Sequence, residues 1–364
     1  MDNSGPYRGN IGEWSELYAL TYILGHGGAH AADANQSSIE HVFYQALSAS
    51  ITPIGNGAHG YVIEEHQVHI LCGDSELVVV DRTEILEILN VFKQELIAEV
   101  KGSRSKGVFN LPSGDKLIRK LRRNALRASS MDQTSDLELV LKDKDNKIGR
   151  PKVGFSVKSQ MGSASTLLNA SGATNFTFKI VSDSPKQKLG ELNFEDKSVV
   201  AIIDQLSLHG YRLQFHALES DKFRRNLTLI DTQMVENVSK LLLEFYSSKS
   251  TKLSEIAKVV FPDHDDSSQQ KIFKIKQMLG AIAMGMRPGN AWDGDVTKFK
   301  GLILVTKNCD VGIYYLDNLS DFQEFLFESV KFEQPSRSKH KYGSLYEVDG
   351  DFFIKLNLQI RFLE

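Results

Sequence analysis

Cysteine is nearly absent: the chain holds two, Cys72 and Cys309, and neither stands in a paired motif. That excludes a disulfide framework and a cysteine-built zinc site. Ten histidines are scattered without HExxH or finger-like spacing, which speaks against a histidine zinc or HNH centre. No apolar stretch approaches the ~18 residues of a membrane span. The opening MDNSGPYRGN has neither the basic region nor the apolar run of a signal peptide, so a cytoplasmic protein is expected, with no membrane partner. There is no internal repeat, no low-complexity tract, and no large excess of either charge, the net value being −3.

What is present is ordinary in bulk and uneven in distribution. Hydrophobic residues are 41% and charged residues 24% of 364, a composition that can bury a sizeable core. Basic residues cluster in KLIRKLRRNALR (116–127), at Lys271, Lys274 and Lys276, and in RSKHK (337–341), while acids are spread thinly. Such clusters suit a protein that grips DNA locally, and equally suit a few solvated helices.

EWSELYALTYILG, closed by Gly25 and the Gly27-Gly28 pair, reads as a helix, and HGGAHAADANQSS as loop. Alternation at 60–82 predicts a small β-meander, RTEILEILNVFKQELIAEV a helix, and KLIRKLRRNALRAS a basic helix. SDLELVLKD (135–143) and VGFSVKSQ (153–160) alternate cleanly around turn residues. Residues 183–286 read mainly as helix, with 211–218 ambiguous and 262–270 a loop; KGLILVT, VGIYYL and FFIKLNLQIRF return to strand. The class is α/β, a mixed sheet flanked by helices with additional helical and small β elements. We expect a catalytic core at 1–180, a mainly helical region at 181–298 that binds DNA, and C-terminal strands at 299–364 that complete the sheet and contact DNA.

Strand parity brings chemistry together. On the first central strand Asp136 and Glu138 point away from Leu137, Leu139 and Leu141; on the second, Ser156, Lys158 and Gln160 point away from Val153, Phe155 and Val157. With the turn centred near Asn146, Asp136 faces Ser156 and Lys158 is a diagonal neighbour. On the first helix Glu13 and Glu16 fall on or beside the apolar stripe of Leu17, Leu20, Ile23 and Leu24, where a carboxylate is costly unless paired or holding a metal. The helix start also favours acids through its dipole, so either glutamate has a bland explanation. A carboxylate pair with a hard divalent cation can activate water against a phosphodiester, and a lysine can orient that water and stabilise developing charge.

TSDLEL followed by FSVKSQ resembles the PD-(D/E)XK nuclease signature, with GNIGEWSELY similar to that superfamily's glutamate-bearing first helix. Taken in order, GNIGEWSELY, SDLELVLKD, GFSVKSQMGSASTLLNASGATNF, KHKYGSLYE and KLNLQIRF resemble the HpaII-type restriction endonucleases. The resemblance implies Mg2+-dependent cutting of both strands of duplex DNA at a short palindrome, CCGG or a related site. It maps the superfamily aspartate to Asp136, the lysine to Lys158 and the helix glutamate to Glu16 or Glu13, of which Glu16 precedes the apolar run. The position two before the lysine, usually acidic, is Ser156; Gln160 lies beside it on the same face. The metal ligands expected are therefore Asp136 with Glu16 or Glu13.

Other segments fit DNA contact. Arg119 and Arg123 lie near one face of the basic helix. Asn169, Ser171, Thr174 and Asn175 follow the active strand in a polar stretch able to bond bases or phosphates, and Arg337, Lys339 and His340 could clamp the backbone. Trp14 and Trp292 read as packing residues, and the charged run at Asp263, His264, Asp265 and Asp266 as a surface loop. A homodimer would match a palindrome, and a cognate DNA methyltransferase is expected in the same genome. Two other readings are a catalytically inactive DNA-binding protein on a nuclease scaffold, motivated by Ser156, and a structure-selective repair or recombination nuclease.

Overall fold

A computed structural model describes residues 5–51, 60–102, 107–124, 126, 136–142, 152–162, 165–185, 187–262, 266–294, 301–315 and 319–363. The chain forms two units: residues 1–165 with 296–325 and 364, and residues 166–295 with 326–363. The first unit is discontinuous because its central strand takes a parallel partner from late in the chain.

The first unit opens with α1 (Ile11–His26), β1 (Gly28–Ala32), a long β2 (Ser38–Ser50), β3 (Gly60–Ile63), β4 (Gln67–Cys72) and β5 (Ser75–Asp81). Next come α2 (Arg82–Gly102), α3 (Pro112–Lys120), β6 (Leu137–Leu141) and β7 (Val153–Ser159). The second unit contributes β8 (Thr166–Leu168), β9 (Asn175–Val181), α4 (Val199–Leu208), β10 (Arg212–Leu218), α5 (Asp221–Ile230), α6 (Met234–Ser247), α7 (Leu253–Val260) and α8 (Asp266–Ala283). The chain then returns for β11 (Gly301–Val305) and β12 (Val311–Tyr315), passes along α9 (Leu319–Ser329), and ends with β13 (Val330–Phe332), α10 (Arg337–His340), β14 (Leu345–Val348), β15 (Asp351–Asn357) and β16 (Ile360–Phe362).

In the first unit a nine-stranded mixed sheet runs β1-β12-β11-β7-β6-β2-β3-β4-β5, with β11–β7 and β1–β12 parallel. The first half of β2 pairs with β1 and its second half with β6 and β3, so the sheet curls back on itself. The small meander at β3–β5 matches the sequence pattern. β1 does not: GAHAA is an alanine-rich strand in a stretch read as loop. It carries no β-branched or aromatic signal, and its strand state is imposed by neighbours on both sides.

Helix α1 is the hub of this unit. Asn10 caps it in a reciprocal box with Glu13, and Gly27, at φ 70°, ends it in the left-handed conformation that a glycine adopts without strain. Trp14, Leu17, Tyr18, Leu20, Ile23 and Leu24 are buried, against the sheet on one side and α2 on the other. The stripe read from sequence is thus one part of a helix buried on most sides. Trp14 meets Phe92 edge-on at 5.9 Å and is a packing residue.

The second unit holds an antiparallel sheet, β10-β9-β15-β14, and a smaller one, β13-β16-β8. Its core gathers Phe176, Phe178, Phe223, Tyr246, Ile354 and Leu356. The stretch 211–218, ambiguous in sequence, is the strand β10. No helix among the described residues is long and apolar enough to cross a membrane.

Candidate active site

The β6–β7 register places the carboxylate. Leu137 pairs with Phe155, Glu138 with Gly154 and Leu139 with Val153, which centres the hairpin on position 146; the turn itself lies outside the described residues. The leucine and valine face is buried, and Asp136 enters from the strand end with its N–H donating to the Phe155 carbonyl at 2.9 Å. Asp136 Oδ2 accepts the Val157 N–H at 2.8 Å and the Ser156 hydroxyl at 3.1 Å. Two neutral donors thus fix a charged acceptor, leaving Oδ1 without a hydrogen-bond partner among the described residues. Ser156, where the nuclease resemblance leads one to expect an acid, donates to the aspartate.

Lys158 lies one alternation beyond Ser156 and is half-buried. Parallel pairing sets Ser156 beside Leu302 and Lys158 beside Leu304, both leucines buried, so an apolar wall borders the lysine. Among the described residues Lys158 has no ion-pair partner. Gln160 ends the strand with its N–H on the Val305 carbonyl at 2.9 Å. The close approach of β11 needs Gly301: a Cβ there would lie 2.3 Å from the Phe155 ring and 2.6 Å from the Tyr314 carbonyl. Glu138 is exposed, bonded by the Ser50 hydroxyl at 3.1 Å and 3.9 Å from Lys152, as expected of a solvated strand residue.

The structure separates the two helix glutamates. Glu13 Oε2 accepts the Asn10 N–H at 2.8 Å, while Asn10 Oδ1 accepts the Glu13 N–H at 3.1 Å, so Glu13 is a capping residue. Glu16 is half-buried and lies within electrostatic reach of Arg123. Burial pulls the Arg123 guanidinium below its ordinary value, opposed by the raising influence of Tyr61 and Glu16. Ser15, next to Glu16, donates to Ser159, next to Lys158, at 2.8 Å, which ties α1 to the active strand. Sequence reasoning did not single out this serine pair; a fully buried serine within an apolar helix is its signal.

Arg119 and Arg123 do not share a helix face. Helix α3 stops at Lys120, and Arg122 takes φ 54°, which breaks the helical path. Arg119 is exposed over the Tyr7 ring at 5.9 Å. Arg123 turns inward, 4% exposed, with its guanidinium donating to the Leu126 carbonyl at 3.0 Å. Lys120 pairs with Glu84.

In the second unit Asn169 is exposed and Ser171 half-buried, while Thr174 and Asn175 are buried. Arg337 donates to the Lys197 carbonyl at 2.5 Å and the Gly343 carbonyl at 2.6 Å, which makes it a local staple. Lys339 is exposed and His340 half-buried, its carbonyl accepting from Asn175 Nδ2 at 3.0 Å. Asp263, His264 and Asp265 lie outside the described residues, and Asp266 begins α8. Among the described residues no three acidic, histidine or cysteine side chains converge as a metal cluster. Asp136, whose Oδ1 has no hydrogen-bond partner among the described residues, suits a hard cation that takes most of its ligands from water and phosphate.

The family model described as HpaII restriction endonuclease matches residues 10–362. The chain is 33% identical to the type II restriction enzyme HpaII of Haemophilus parainfluenzae over 368 residues, covering 98% of this chain and 99% of that protein. No solved structure matches.

Proposed function

The chain belongs to the HpaII restriction endonuclease family, a family of type II site-specific deoxyribonucleases, and from that membership we propose that it cuts both strands of duplex DNA with Mg2+ at a short palindrome, CCGG or a related site. The observation that carries the chemistry is Asp136, fixed through one oxygen by Ser156 and Val157 on the strand face that also bears Lys158.

In this reading Asp136 offers Oδ1 to the cation, with Glu16 as the second carboxylate and Glu13 left to its cap. The metal, when bound, lowers the pKa of its water and neutralises charge on the scissile phosphate. Lys158 orients the attacking water by hydrogen bonding and stands beside the negative charge that builds on the phosphate; the buried Leu302 and Leu304 next to it strengthen that interaction by excluding solvent. Gln160 fixes the far end of the strand. Ser156 acts by orientation, through its hydrogen bond to Asp136.

The rest of the reading is cellular. A homodimer acting on a palindrome, a cognate methyltransferase encoded in the same genome and a cytoplasmic location follow from the restriction role. The deciding experiment is incubation of the protein with plasmid DNA and Mg2+, with an EDTA control, followed by sequencing of the cleaved ends. Discrete fragments ending at one motif support the proposal. Duplex binding by folded protein without any cutting overturns it in favour of an inactive DNA-binding scaffold, and cutting confined to junctions or free ends points to repair.

A further inference from the structure

Two polar segments of the second unit, Asn169–Asn175 and Arg337–Lys341, stand far apart in sequence and meet in the fold. Asn175 Nδ2 donates to the His340 carbonyl at 3.0 Å, a link across 165 positions. Behind both lies Asn357, the last residue of β15, which is 0% exposed. Its Nδ2 donates to the Ser171 carbonyl at 2.8 Å and to Asn175 Oδ1 at 2.7 Å, and its Oδ1 takes the Thr174 hydroxyl at 3.4 Å. The Tyr246 hydroxyl donates to the Asn357 carbonyl at 3.1 Å, and the next N–H along, from Leu358, reaches the Thr174 carbonyl at 3.0 Å.

A primary amide with no solvent contact is costly unless its donors are satisfied, and here both are. The network therefore fixes the 171–175 turn through several hydrogen bonds at once, and the Asn175–His340 bond ties the 337–341 segment to it. The same network turns Thr174 and Asn175 inward, so they support this surface from beneath. What faces outward is Asn169, Gly172, Lys339 and Lys341. A Cβ on Gly172 would meet nothing within 4 Å. Neither segment contains an acid. The two segments joined by the Asn175–His340 bond thus expose an amide, backbone and two ammonium groups, which match the two needs of duplex recognition: hydrogen bonding to base edges and charge on phosphates.

We propose that the 169–174 turn and the 339–341 segment form one DNA-reading element, and that Asn357 and Asn175 are the positioning residues that set it. The inference rests on the restriction reading above. Its test compares wild type, Gly172→Glu and Asn357→Asp as full-length proteins. Duplex binding is measured in an Asp136→Ala background, and cleavage at the cognate site is compared with cleavage at sites altered by one base pair. Gly172→Glu places a carboxylate in open space at a non-strained position; melting should be unchanged and duplex binding about tenfold weaker or more. Asn357→Asp keeps the shape but removes both donors, and should lower the cognate-to-altered cleavage ratio by about tenfold. A purely structural role would lower melting temperature and active fraction and leave that ratio alone.

Unchanged binding by Gly172→Glu overturns the shared element, even where Asn357→Asp fails to fold. An unchanged ratio in folded Asn357→Asp overturns the positioning role. Wild-type protein that cuts no duplex at a defined site fails the functional reading and this inference with it, whereas site-specific cutting by wild type alongside unchanged variants fails the inference alone.

Discussion

Ser156 donates its hydroxyl to Asp136 across the β6–β7 pair at 3.1 Å, so the residue that replaces an expected acid supports the acid that is there. Ser156→Ala should cut the single-turnover rate about fivefold, the effect of one lost orienting hydrogen bond of ~1 kcal/mol. Folding and duplex affinity should be unchanged; a full-rate variant would show that Val157 alone holds the carboxylate.

Removing the chemistry outright is a different experiment. Asp136→Ala and Lys158→Ala should each abolish cleavage, by about a thousandfold or more, with binding to duplex preserved. Gel-shift titration beside plasmid cleavage checks both halves, and robust cutting by either variant would rule this site out.

The two helix glutamates should part company. Glu13→Ala breaks the capping box, costs about 1 kcal/mol in urea unfolding, and leaves cleavage close to wild type. Glu16→Gln should lose cleavage about a hundredfold or more if Glu16 completes the metal site. The reverse pattern would move the second carboxylate to Glu13.

Arg119 and Arg123 supply a paired test of burial. Arg119→Ala should leave stability unchanged and reduce the slope of log affinity against log salt by about 0.9 if it touches phosphate. Arg123→Ala removes a guanidinium buried beside Glu16 and Tyr61, and should destabilise the protein by roughly 3 kcal/mol whatever the salt. Denaturant titration and binding at several ionic strengths separate the two.

Chelation should silence the enzyme without unfolding it. No cluster of three metal-binding side chains exists among the described residues, so EDTA should abolish cutting and shift the melting temperature little, unlike removal of a structural zinc. A large drop in melting temperature would reveal a metal that holds the fold.

The sequence displayed the β6–β7 hairpin because period-two alternation and turn position are local: Leu137, Leu139, Val153 and Phe155 set the register, and with it the strand positions of Asp136 and Lys158. β1 was hidden because an alanine strand acquires its state from partners distant in the chain. The inward turn of Arg123 was hidden as well, since it depends on one left-handed residue, Arg122, that no helical pattern announces. Asn357 drew no reading from the sequence, because the residues that bond it, Ser171 and Asn175, lie far away in the chain.

The active strand β7 lies alongside β11, and Phe155 waits for Gly301. During synthesis Asp136 and Lys158 leave the ribosome long before the strand that walls the lysine exists, and the entire second unit's first segment is made in between. A chain that stops short of Gly301 lacks the parallel partner of β7 and the leucines that border Lys158. Because β11 comes so late in the chain, the sheet around Lys158 is complete only after residues 301–305 have been made.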